Sequence, residues 1–90
     1  MNTQKEKTLI NFKKAESHIT KVIKMTKDNK YCIDIMQQNL AVIGLLKSAH
    51  YMLMESHLNN CCKKALETKS KKIKQEMIEE VLKVVRLSSK

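Results

Sequence analysis

Proline is absent from this 90-residue chain, glycine occurs once, at Gly44, and aromatic residues make up 3% of it. Proline and glycine punctuate turns and sheets, so their scarcity excludes a loop-rich architecture and favours a few long helices with short joints. With so few aromatics there is little for the cross-strand pairs that stabilise sheets. The expected fold class is all-α. Long apolar runs are missing too, and none approaches the ~20 residues that span a bilayer. The N-terminus, Met1-Asn-Thr-Gln-Lys-Glu-Lys, is polar and lacks the apolar core of a signal peptide. A cytoplasmic protein without a membrane partner is expected. No pocket-type acid/base or nucleophile constellation is visible, so an enzyme is not expected.

Acidic residues are outnumbered, nine against 18 Lys plus Arg, for a formal net charge of +9. Such an imbalance attracts polyanions, usually nucleic acid or an anionic membrane surface, although a lysine-rich solvated surface accounts for charge alone. Arg86 is the only arginine, so bidentate arginine reading of guanine is not on offer. Phosphate contacts and DNA shape would carry the binding. The three cysteines, an odd number in a reducing compartment, point to metal or redox chemistry rather than a disulfide framework.

Length limits the chain to one domain, residues 1–90, with 1–7 expected as a flexible tail. From Leu9 to Met25 apolar residues recur at helical spacing, with Lys13, Lys14, Lys21 and Lys24 between them. Asp28-Asn29-Lys30 is the expected turn. A second segment opens near Tyr31 and meets no breaker until about Glu67-Thr68-Lys69-Ser70, and a third carries Ile73, Met77, Ile78, Val81, Leu82 and Val85. A middle helix of ~35 residues is about 52 Å long, more than its two neighbours can cover. An apolar helix left half uncovered needs a second chain. Antiparallel pairing of two middle helices, flanked by the first helices, gives a four-helix-bundle dimer.

His57 and Cys61 stand four apart and share a helix face, a two-ligand fragment for a soft or borderline metal. Cys32 offers a third donor, but in one continuous helix it lies roughly 37 Å from His57. In an antiparallel dimer Cys32 can meet His57 and Cys61 of the other chain, twice per dimer. Two thiolates and an imidazole suit Cu(I), whereas Zn(II) would want a fourth ligand or a water. Cys62 points about 100° away from Cys61 around the helix and reads as a small buried apolar residue.

The stretches Tyr31-Cys32-Ile33-Asp34-Ile35-Met36-Gln37-Gln38 and Met54-Glu55-Ser56-His57-Leu58-Asn59-Asn60-Cys61 resemble the copper-sensitive operon repressor (CsoR) family of metal-sensitive transcriptional repressors. That family places a Cys after a Tyr, a His 25 residues on and a Cys four later, and the resemblance covers about residues 9 to 86. It implies a dimer assembled into a tetramer, an intersubunit Cu(I) site, operator double-stranded DNA as partner, and no helix-turn-helix. It further implies that Tyr31 and a third-helix Glu, Glu76 with Glu80 as second choice, hydrogen-bond to the liganding His. The basic pair expected in the first helix is Lys13 and Lys14, but Ser17 and His18 stand where the family has Gly and Gln. Gly44 replaces a basic residue of the second helix, with Lys47 as substitute. His18 offers an extra ligand or a DNA contact, although a lone exposed His is more often neither, and His50 is expected to pack or face water within the bundle. Relatives that sense nickel or cobalt tend to have His in place of the last Cys, and persulfide sensors tend to lack the middle His. The ligand set therefore falls in the copper branch. Rival readings are a sensor of formaldehyde or persulfide through Cys32, a helical copper-buffering protein without DNA, and a structural oligomer with incidental cysteines.

Overall fold

The computed structural model describes residues 3–88, and these are helical apart from two short joints. Helix α1 spans Thr3–Lys27, α2 spans Cys32–His57, a π-helical turn spans Leu58–Cys62, α3 spans Lys63–Glu67 and α4 spans Lys71–Ser88. The expected three helical segments are therefore present, the middle one running from Cys32 to Glu67 through the π-turn. Residues 3–7, expected as a tail, are instead the first turns of α1. The Gln4 amide donates to the Met52 carbonyl at 3.3 Å, and Thr8 is buried. Residues 1 and 2 lie outside the described residues.

The chain divides into two compact units, Met1–Glu55 and Ser56–Lys90. In the first, α1 and α2 form a hairpin. Its buried positions are Thr8, Ala15 and Val22 on α1 and Val42 and Ala49 on α2, all at seven-residue spacing. A seven-residue repeat is the seam of two helices packed side by side. Small residues at that seam let the helices approach closely, and Ala49 is 0% exposed. Ile35 and Leu45 pack against Ala15, Val22 and Val42. Asn11 Nδ2 donates to Ser48 Oγ at 2.8 Å, and His18 Nε2 meets Gln38 Oε1 at 2.7 Å.

The turn falls where Asp28-Asn29-Lys30 foretold it. Asn29 takes a positive φ of 55°, which Asn tolerates better than most residues. The Lys30 N–H donates to the Met25 carbonyl at 3.0 Å and the Asn29 N–H to the Thr26 carbonyl at 3.2 Å. These two bonds are the Schellman closure of a helix end. Lys24 and Lys27 in the last turn of α1 and Asp34 in the first turn of α2 complement the helix dipoles.

In the second unit, α4 is capped by Ser70, whose Oγ accepts from the Ile73 N–H at 3.3 Å. Thr68 is extended, with ψ 152°, and ends α3. Leu58, Cys62, Ala65 and Leu66 face Met77, Ile78, Val81 and Leu82 of α4 across an apolar cleft of about 240 Å³.

Candidate metal centre and basic face

Cys32 is the first residue of α2 and Cys61 lies in the π-turn, and both are exposed free thiols. His57, the last residue of α2, is half-buried. Regular α-geometry was expected between His57 and Cys61, but Leu58–Cys62 forms a wider turn closed by i→i+5 bonds. Asn59 and Asn60 are weak helix formers that compete for backbone partners. The Asn60 side chain donates to Ser56 Oγ at 3.2 Å. A π-turn still returns the fourth residue to nearly the same face, so His57 and Cys61 remain neighbours around the axis. Cys62 is turned inward and buried at 8% exposure, lining the apolar cleft with Leu58 and Ala65.

Among the described residues of one chain, no three His, Cys, Asp or Glu side chains gather into a metal-holding group. The donors themselves fit a soft ion: the thiols of Cys32 and Cys61 are unbridged and exposed. Tyr31 precedes α2, is 69% exposed, and accepts the Ile35 N–H at its backbone carbonyl at 3.2 Å. Glu76 and Glu80 lie exposed on α4.

Lys13 and Lys14 are exposed on α1, and Lys13 Nζ lies 3.8 Å from Glu16 Oε1. Together with Lys21 and His18 they rim a groove floored by Leu9, Ile10 and Leu45. Lys47 is exposed on α2 but does not line this groove. The coupling of His18 to Gln38 was not foreseen from the sequence. It joins residues twenty apart, and only the hairpin register brings them together.

The family model for metal-sensitive transcriptional repressors matches residues 4–87. The copper-sensing repressor CsoR of Mycobacterium ulcerans is 33% identical over 60 residues, which cover 66% of this chain and 51% of that protein. The copper-sensing repressor RicR of Mycobacterium tuberculosis is 30% identical over 63 residues, covering 70% of this chain and 66% of the relative. The match thus spans from about half to just under two thirds of these relatives' lengths. The crystal structure of the copper-sensing repressor CsoR with Cu(I) from Geobacillus thermodenitrificans superposes with a TM-score of 0.86 at 29% identity. It covers 100% of this chain and 91% of that one.

Proposed function

The chain belongs to the CsoR family of metal-sensitive transcriptional repressors, and from that premise we propose that it is a Cu(I)-responsive repressor. It binds operator DNA in the apo form and releases it when copper binds between subunits. Cys32 of one protomer and His57 and Cys61 of the other would hold the ion. Residues 1–90 act as one metal-sensing, DNA-binding domain.

The observation that carries this reading is the length of α2. From Cys32 to Glu55 the helix is unbroken, about 35 Å at 1.5 Å per residue. His57 is two residues further and Cys61 six, reaches of at most ~7 Å and ~21 Å even if fully extended. Neither can return to the Cys32 thiol of its own chain. A three-donor site therefore needs a second protomer running the opposite way. The surface offers the means, because α2 leaves Ile33 at 45%, Met36 at 56% and Leu40 at 64% exposure along one stripe. Pairing those stripes builds the antiparallel dimer, and two dimers build the tetramer. No helix among the described residues is long and apolar enough to cross a membrane, and the protein is read as cytoplasmic.

Bound Cu(I) supplies a soft centre that thiolate and imidazole donors from two chains share. Cys32 draws the start of one α2 toward the end of the other, and Tyr31 and Glu76 orient the His57 ring. Lys13 and Lys14 of α1, with Lys47 of α2, contact phosphates in the apo form. A metal that favours one arrangement by the usual 1–3 kcal/mol changes DNA affinity by about 5- to 150-fold. The test is anaerobic Cu(I) titration against a competing chelator, followed by binding to the promoter of the protein's own gene. Wild type should lose affinity on loading, and Cys32→Ala should not respond. Equal DNA affinity with and without Cu(I) would refute the switch.

A further inference from the structure

We propose that His18 is a DNA-contacting residue whose engagement takes up a proton, so that operator binding by the apo protein strengthens as pH falls. This rests on the reading of the α1 face as the operator-binding surface.

The argument begins with the short bond to Gln38. A carboxamide oxygen accepts and cannot donate, so the 2.7 Å contact places the hydrogen on Nε2. The neutral ring then has only Nδ1 left, and there it carries a lone pair. That nitrogen belongs to a side chain lining the groove rimmed by Lys13, Lys14 and Lys21. A lone pair repels a phosphate oxygen. With the Gln38 carboxamide oxygen facing Nε2, only the protonated ring, with N–H at both nitrogens, keeps this bond and also donates to the DNA backbone. The tether thus turns an ordinary surface histidine into a conditional phosphate donor.

The charges around His18 favour a phosphate as the occupant. Lys14 precedes it by one turn and Lys21 follows by one turn, on the same face of α1. Glu6 is the one acid lining the groove, and Glu16 lies beside Lys13. On α2 the nearest ionisable residues along the chain from Gln38 are Asp34, one turn before it, and Lys47, nine residues after. All of these are present in the free and the bound protein alike. The new element on binding is the phosphate, and it stabilises the imidazolium. Imidazole is the side chain whose ordinary range lets this happen near neutrality.

The experiment uses fluorescence anisotropy of apo full-length protein with a labelled duplex of its own promoter. Affinity is measured at constant ionic strength from pH 6 to 8, for wild type, H18Q and Q38A. One linked proton weakens affinity by up to about tenfold per pH unit for each imidazole engaged, once pH exceeds the imidazole range. The chain carries two other imidazoles, His50 and His57, so the quantity read is the difference between wild type and H18Q. H18Q keeps a neutral donor and should show the shallower slope. Q38A frees the ring to present Nδ1–H while neutral, so it should bind more tightly than wild type at pH 8 with a flattened profile. A purely structural role for the pair predicts weaker binding of Q38A at every pH. DNA binding with identical pH profiles in wild type and H18Q would overturn the proposal. Failure of all three proteins to bind the promoter at any pH would overturn the repressor reading itself.

Discussion

Mixing two crippled chains should restore copper binding that neither possesses. Cys32→Ala removes the donor at the start of α2, and Cys61→Ala removes one in the π-turn beyond its end. In either homodimer every site lacks a thiol, so both should lose tight Cu(I) binding under a competing chelator. In a mixed dimer, the Cys61→Ala chain brings an intact Cys32 to the intact His57 and Cys61 of the Cys32→Ala chain. The second site of that dimer lacks both thiols. Random pairing of equal amounts makes about half the dimers mixed, each with one good site of two, so tight capacity returns to about one quarter of wild type by two-fold symmetry. The unbroken α2 from Cys32 to Glu55 is what makes the number informative, because a same-chain site predicts zero. The assay is anaerobic Cu(I) titration of the co-refolded mixture, with each parent protein as control. A mixture that binds no better than its parents, although tag exchange shows that the protomers have mixed, would refute the intersubunit arrangement.

Three further outcomes follow from the helix ends and faces. Ser70→Ala removes the Oγ that accepts the Ile73 N–H and should cost about 1 kcal/mol in urea unfolding. Asn29→Gly keeps the left-handed turn at φ 55° without a side chain's strain and should leave stability unchanged or raise it by a few tenths of a kcal/mol, whereas Asn29→Val should lower it by about 1 kcal/mol or more. At Gly44 an added Cβ meets nothing within 4 Å. Gly44→Ala should therefore stabilise α2 by roughly 0.5–1 kcal/mol, read as a rise in the thermal midpoint of the apo protein.

Much of this architecture was legible because helix ends carry local chemistry. Asp28-Asn29-Lys30 announced the turn, and Thr68 to Ser70 announced the second joint, since Asn at positive φ and Ser at a cap are decided within a few residues. Burial was harder to read. Of the apolar positions marking α1, Ala15 and Val22 are buried, while Leu9, Ile10, Ile19 and Ile23 stay at least a third exposed. A periodic apolar stripe shows that a face is sticky without saying which part meets its own chain. The close seam instead runs through Thr8, Ala15 and Val22, two of them too small or too polar to dominate a hydrophobic pattern. The π-turn was missed because one extra residue in a turn leaves an apolar stripe nearly intact. The partnership of His18 and Gln38 depends on hairpin register, which neither local sequence contains.

The turn between α1 and α2 has a mechanical consequence. Its carbonyls at Lys24, Met25 and Thr26 are all engaged by the next residues along the chain, and Cys32 begins α2 only five residues after α1 ends. A connection so short and so fully bonded absorbs little torque. With Ala15 at 4% and Ala49 at 0% exposure along the seam, the two helices are also held close along their length, so the hairpin is braced both at its corner and along its flank.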